Sequence, residues 1–317
     1  MSTSPVEAVL LFAGQGAQHV GMGRDLAEEF PSAAMAFEKA DAILERSLSS
    51  LVFEGPEEDL TKTANCQPAL FVHGLALLEV LKERVPSLQP VAAAGLSLGE
   101  MTAHTAAGTF GFEQGLRLVA QRGLFMDEAC EVTDGAMAAM IGGEEDAVRQ
   151  LAEDCEVDVA NFNSPGQIVL SGSSQGIDQA VARAKENGIR MGRKLKVAGA
   201  YHSALMTGAQ TKLGAALAGA EVGQPGIPVI SNFSATEASS PSEIRETLAA
   251  QVTGSVRWAE SMDLLLSKGH RLFIELGPGK VLSGLMGRID TEKKAEILAV
   301  EDRESLESAA ARLASLG

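Results

Sequence analysis

Tryptophan and tyrosine occur once each in 317 residues, and cysteine three times. Cys66, Cys130 and Cys155 are odd in number, far apart and in no metal-ligand spacing, so reduced thiols in a cytoplasmic protein are the expectation. Long apolar runs are also missing. No stretch reaches the roughly 18 uninterrupted apolar residues of a membrane span, so no membrane partner is expected. The opening MSTSPVEAVLLFAG has no basic region, and its apolar run is too short for a signal peptide. Positive charge is scarce: 26 Lys and Arg against 42 Asp and Glu leave −16, which opposes any general affinity for nucleic acid. An acidic partner would need a local basic patch. One candidate is Arg190, Arg193, Lys194 and Lys196, which fits either a solvated strand face or a docking surface.

Small residues are plentiful, with 33 glycines, and suit close helix–sheet packing. The chain is long enough to bury a large core, and its 45% hydrophobic content is that of an ordinary globular protein. The stretch that organises it is Val91–Glu100, VAAAGLSLGE. Its first residues have the composition of a strand buried on both faces. Gly95, Leu96, Ser97, Leu98 and Gly99 then fit G-x-S-x-G, the sharp strand-to-helix turn that exposes a nucleophilic serine. At the head of a helix, free backbone N–H groups and the helix dipole favour a developing negative charge beside Ser97. The alternative is a tight turn capped by an ordinary serine.

Periodicity predicts an α/β body. Strands are expected at Glu7–Phe12, Val91–Gly95, Pro228–Ser231 and Arg271–Leu276. Helices are expected at Ala33–Leu44, Asn65–Arg84, Glu100–Gly108, Phe112–Cys130, Ser203–Leu217, Pro241–Gln251, Trp258–Ser267, Val281–Arg288 and Glu304–Leu316. The loop Ala13–Gly23, AGQGAQHVGMG, is no dinucleotide fingerprint because His19 stands at the sixth position, yet it can bring backbone N–H groups near a ligand. Gly277–Lys280 is not a P-loop, since Ile274 and Val281 stand where Gly and Ser/Thr are required. Between these segments the pattern changes. Strand Gly135–Ile141, helix Glu144–Glu153 and strands Val157–Phe162 and Gln167–Ser171 come first, joined by turn residues Asn163 to Gly166. Helix Gln175–Asn187 and basic strand Ile189–Val197 follow. That βαββαβ order is ferredoxin-like. Residues 133–197 are thus expected as a subdomain inserted into a body made of 1–132 and 198–317.

A serine hydroxyl needs a base, and histidine is the usual one. Of five histidines, His73 lies on an apolar helix face, and His104 is two turns along the helix from Ser97. His270 precedes a strand, the wrong end for a site at the carboxyl edge of an α/β sheet. His19 stays in reserve in the glycine loop. His202, in VAGAYHSALM, follows a strand, crosses a small-residue turn and heads a helix, so it can reach across a cleft.

Together AGQGAQ, GLSLGE, QRGLFM, NFNSPGQIVLSG, AYHSALM, SVRW and ELGPGKVL resemble the malonyl-CoA:acyl-carrier-protein transacylases of fatty-acid synthesis, and the acyltransferase domains of polyketide synthases. The likeness runs from Phe12 to about Arg288. It implies an α/β-hydrolase-like body with a parallel sheet and a ferredoxin-like insertion. It implies that Ser97 is acylated and His202 is its base, with the backbone N–H groups of Gln15 and Leu98 forming the oxyanion hole. Arg122 would grip the malonyl carboxylate, and the Gln251 carbonyl would orient His202. Asn161 and Asn163 match asparagines near the site. Tyr201, an aromatic beside the histidine, implies malonyl over methylmalonyl.

Leu96 departs from the family's usual His, and Ala13 from its usual Pro. The Leu96 side chain is expected to point away from the acyl pocket. The activity implied is ping-pong malonyl transfer from malonyl-CoA to the phosphopantetheine thiol of acyl carrier protein. Malonyl-CoA is then a substrate, no metal or bound cofactor is needed, and a monomer is expected. Rival readings are an acyltransferase serving a polyketide synthase, a serine esterase or thioesterase, and a non-catalytic carrier-binding module. An esterase normally has an acid between Ser and His, and here Asp178 and Glu186 fall on the inserted unit's helix.

Overall fold

A computed structural model describes residues 4–317; the first three residues of the N-terminal reading lie outside that range. The chain opens with β1 (Val6–Phe12), buried at all but one position. Beyond the glycine loop come α1 (Arg24–Glu29), α2 (Pro31–Leu44), α3 (Leu48–Glu54) and α4 (Glu57–Thr61). Periodicity reveals only α2, because the other three span under two turns and show no repeat. Next are α5 (Thr63–Arg84), β2 (Leu88–Gly95), α6 (Leu98–Ala106) and α7 (Phe112–Glu131). Among the described residues α5 alone is long and apolar enough to cross a bilayer, and 78% of its most apolar window is buried inside the protein.

The middle of the chain forms β3 (Gly135–Ile141), α8 (Glu145–Asp154), β4 (Asp158–Ser164), β5 (Gln167–Ser173), α9 (Ser174–Arg183) and β6 (Met191–Lys194). It then returns through α10 (Thr207–Ala218), β7 (Val229–Ile230), β8 (Glu237–Ala238), α11 (Pro241–Ala250) and α12 (Trp258–Ser267). The last elements are β9 (Leu272–Leu276), α13 (Val281–Ile289), β10 (Glu296–Val300) and α14 (Arg303–Ala314).

Six strands make one sheet in the order β10-β9-β1-β2-β7-β8, parallel throughout except for β7–β8. Both faces are covered, which explains the unbroken apolar runs. Val9, Leu11, Ala92, Ala94 and Phe273 pack with Trp258 and Met286 on one side. Leu10, Phe12, Ala93 and Ile274 join the larger cluster built around α5 on the other. Phe12 pairs with both Gly95 and Leu276, so three central strands finish level. The glycine loop, the Ser97 turn and the Gly277–Lys280 turn leave from that one edge, where open α/β sheets bind their ligands.

The second sheet is antiparallel, in the order β4-β5-β3-β6. Alternation on β3 sorts its side chains. Ala136, Ala138 and Met140 meet Val148, Leu151 and Ile177 of α8 and α9, whereas Met137 and Ala139 join the main core.

Several boundaries differ from the periodic reading, and three of them bear on the site. Asn163 and Ser164 belong to β4, because Pro165–Gly166 suffices for the hairpin with Gly166 at φ 70°. The basic strand is only Met191–Lys194, after which Leu195 still donates its N–H to Met137 and Lys196–Ala198 leave to line the cavity described below. Past His202 a 3-10 turn, Ala204–Met206, precedes α10, since the left-handed backbone at His202 (φ 57°) stops a helix from starting there. β10 and the two-residue β8 sit at the sheet edges, where half-exposed, polar-flanked sequence carries no strong strand signal.

Glu275 of β9 is fully buried and caps the next helix from the sheet. It accepts the N–H of Leu282 at 2.9 Å, the N–H of Ser283 at 2.8 Å and the Ser283 hydroxyl at 2.5 Å. Glu275→Ala strands those donors at the start of α13, at a cost of about 2–4 kcal/mol. A drop in the urea midpoint is expected; an unchanged midpoint would mean that water replaces the cap.

Candidate active site

Ser97 sits at φ 53°, ψ −104°, between the end of β2 and the first residue of α6. Such backbone costs about 1–3 kcal/mol and persists only where the surroundings impose it. The flanking glycines show how tightly they do. A Cβ on Gly95 would lie 2.0 Å from Gly99 backbone atoms, and one on Gly99 would lie 2.3 Å from the Phe12 carbonyl oxygen. Asn232, just after β7, holds the turn: Oδ1 accepts the Ser97 N–H at 2.7 Å and Nδ2 donates to the Gly95 carbonyl at 2.8 Å.

His202, in the segment that follows the inserted sheet, reaches this serine with Nε2 lying 2.8 Å from Ser97 Oγ. Its Nδ1 is 2.8 Å from the Gln251 carbonyl oxygen. A carbonyl only accepts, so Nδ1 carries the hydrogen and Nε2 keeps a lone pair facing the hydroxyl. Burial, reinforced by the nearby Arg122 charge, pushes the His202 pKa down to about 4. The ring is therefore a neutral base across the neutral range. The expected pH profile of serine acylation is flat through neutrality and falls as pH drops through about 4, where the ring protonates. Rapid-quench rates check this; an acid limb centred near the ordinary histidine value would contradict it.

Arg122 of α7 lies almost wholly inside, 1% exposed. Nη1 donates to Gln67 Oε1 at 2.8 Å, and Nη2 donates to Ser97 Oγ at 3.1 Å and to Gln251 Oε1 at 2.9 Å. Burial lowers its pKa to about 10, so it stays cationic at neutral pH. Among the described residues no carboxylate contacts the guanidinium directly, and Nε is without a partner. Gln251, at the end of α11, joins everything. Besides holding His202 and Arg122, its Nε2 donates to the Ser97 carbonyl at 2.9 Å and to Glu100 Oε2 at 2.7 Å.

A cavity of about 500 Å³ opens over the serine. The body contributes Gly14, Gln15, Gln67, Met126, Tyr201 and His202 to its wall; the second sheet contributes Met137, Asn161, Asn163 and Val169. The Tyr201 hydroxyl is 2.7 Å from Thr63 Oγ1, which fixes the ring. Asn163 Oδ1 is buried without a partner. Gln15 lies in the glycine loop and Leu98 opens α6. Among the described residues, neither backbone N–H is taken up by a protein acceptor. Leu96, where the family usually has His, precedes the nucleophile position. It stands beside Ser97 at the cavity wall, and its half-buried side chain packs against the cluster of Trp258 and Met286.

The other histidines are elsewhere. His73 is buried with neither ring nitrogen bonded, and His104 packs against Thr109 at 3.1 Å. His19 is exposed in the glycine loop, and His270 precedes β9. Asp178 pairs with Lys194 at 2.7 Å on the surface of the inserted unit, away from His202. In the basic patch Arg190 and Arg193 are exposed, while Lys196 reaches the cavity wall.

The structure thus brings Ser97, His202, Arg122, Gln251, Gln15 and Leu98 to one place. Asn232, Gln67 and Glu100 escaped notice as participants. Glu100 left a readable signal: a carboxylate three residues after Ser97 and the one acidic residue of its helix. Asn232 left almost none, being one polar residue after a two-residue strand.

A strained serine, a buried neutral histidine and an arginine touching the same hydroxyl define an acyl-transfer centre, and the chain belongs to the acyl transferase domain family, which matches residues 9–308. Within that family it is similar to the malonyl CoA-acyl carrier protein transacylase of Bacillus subtilis strain 168, 43% identical over 304 residues that cover 94% of this chain and 95% of the relative. It also superposes on the acyl carrier protein S-malonyltransferase of Vibrio cholerae, with TM-score 0.91 and 38% identity, covering 96% of this chain and 99% of that one. A third likeness is PlMCAT, solved with AntF as a type II PKS acyl-carrier protein in complex with its malonyl-transacylase. Its TM-score is 0.92 at 37% identity, covering 96% and 99% of the two chains.

Proposed function

We propose that this chain moves a malonyl group from malonyl-CoA to the phosphopantetheine thiol of an acyl carrier protein, supplying fatty-acid synthesis. The observation that carries the reading is the 2.8 Å approach of His202 Nε2 to a serine hydroxyl that also accepts from a buried arginine. His202 takes the Ser97 proton as Oγ attacks the thioester carbonyl. The N–H groups of Gln15 and Leu98 hold the oxyanion. The C–S bond breaks, and the histidine returns its proton to the CoA sulfur. The carrier thiol then gives its proton to His202 and attacks the malonyl-serine ester; the ester C–O bond breaks and His202 passes the proton to Ser97 Oγ, restoring the free hydroxyl and the neutral ring. Arg122 holds the malonyl carboxylate through both halves, with Asn161 and Asn163 lining the wall opposite. All bonds are made and broken by these side chains, so the cycle needs no metal or bound cofactor.

The likeness to a transacylase solved with its carrier protein supports an acyl carrier protein as the acceptor. The body (1–132 and 198–317) is read as α/β-hydrolase-like, and residues 133–197 as a ferredoxin-like insertion that closes the cavity; the strand order β4-β5-β3-β6 supports the latter. The working form is a cytoplasmic monomer without nucleic-acid or membrane partners. Intact mass spectrometry after brief mixing with malonyl-CoA tests the reading. One malonyl adduct, discharged on adding holo carrier protein, is expected; free malonate released equally fast without carrier would make the chain a hydrolase.

A further inference from the structure

Glu100 is a carboxylate enclosed at the N-terminal end of α6, on the same helical side as Ser97 and with no measurable exposure. Its Oε2 accepts two hydrogen bonds, from the Asn232 N–H at 2.9 Å and from Gln251 Nε2 at 2.7 Å. Oε1 has no partner. A buried carboxyl with half its oxygens unsatisfied is destabilising, so its presence calls for a reason beyond packing.

Both groups that it holds act directly on the reaction centre. Asn232 grips the Ser97 N–H and the Gly95 carbonyl, which sets the strained turn. Gln251 touches His202 through its main-chain oxygen, Arg122 through Oε1 and the Ser97 carbonyl through Nε2. Without Glu100 the Gln251 amide could rotate or flip, releasing the guanidinium and the serine carbonyl together. The charged group that acts on Glu100 is Arg122 of α7, reached through the shared Gln251 amide.

Resting on the acyl-transfer reading above, we infer that Glu100 is the positioning residue of this centre. One carboxylate oxygen locks Asn232 and Gln251, and through them the Ser97 turn, the His202 ring and the Arg122 guanidinium share a single arrangement. Burial pushes the Glu100 pKa up to about 7, opposed by the Asn232 N–H, the Gln251 amide and the Arg122 charge. The neutral form is therefore well populated at neutral pH, and what matters is an oxygen in that place rather than a full charge. A glutamine there can present its amide oxygen to the same two donors.

The test uses the full chain, with E100A and E100Q compared to the parent by rapid-quench acylation from malonyl-CoA and by intact mass. E100A is expected to acylate about 10- to 100-fold more slowly at saturating malonyl-CoA, the mark of misplaced reacting groups, with KM also raised as the Arg122 guanidinium loses its anchor. E100Q is expected to recover most of that rate. Equal rates for E100A and the parent would overturn the inference, as would E100Q as slow as E100A. If E100A does not fold, E100D replaces it: the shortened side chain withdraws the oxygen, and a parent-like rate in E100D overturns the inference equally. A parent protein that takes up no malonyl group would sink the transferase reading itself; a parent that does, beside indifferent Glu100 variants, sinks this inference alone.

Discussion

Ser97→Ala is expected to take up no malonyl group and to lose at least about 10⁴-fold in transfer to carrier protein, the scale seen when a nucleophile is removed from a serine centre. The fold should survive. Alanine keeps the backbone N–H that Asn232 holds and the carbonyl that Gln251 holds, and it adds no atom beside Gly95 and Gly99. Lost are only the contacts of Oγ with His202 and Arg122. A thermal midpoint near that of the parent, together with no adduct in the intact mass, is the expected pair of results. A malonyl adduct on the alanine variant would move the nucleophile elsewhere.

Arg122→Ala carries the second large effect, on which acyl group is chosen. A charge-assisted hydrogen bond to a carboxylate is worth about 1.5–3 kcal/mol, or about 10- to 100-fold. The ratio of kcat/KM for malonyl-CoA over acetyl-CoA should fall by that factor, with most of the loss on the malonyl side. Two further signs follow. Gln67 Oε1 and Gln251 Oε1 lose their donor inside the protein, so the variant should unfold at lower temperature. Removing a positive neighbour also lets His202 protonate more easily, so the acid limb measured with acetyl-CoA moves to higher pH. An unchanged substrate ratio would take the carboxylate-binding role from this residue.

Much of the site was readable because its parts are local. The Ser97 turn is five consecutive residues whose glycines answer to sterics alone, and His202 could be picked out by asking which histidine follows a strand and faces a cleft. The resemblance supplied Gln251, whose part is played by a backbone atom that no residue type betrays. Asn232 was not legible, since a side chain that holds a turn 135 residues away leaves no spacing to read. Helices of two turns or fewer, such as α1, α3 and α4, were lost for a similar reason: their identity comes from packing against α2 and α5.

The support behind His202 is a main-chain oxygen. Where a serine centre relies on an aspartate behind its histidine, one codon change can delete that aspartate; here no substitution at position 251 removes the acceptor, and only a displaced end of α11 could. A peptide carbonyl also carries no full charge, so it steadies an imidazolium less than a carboxylate would. Such a centre suits a thiol, which ionises far more readily than water and so asks little of the base, whether it leaves or attacks.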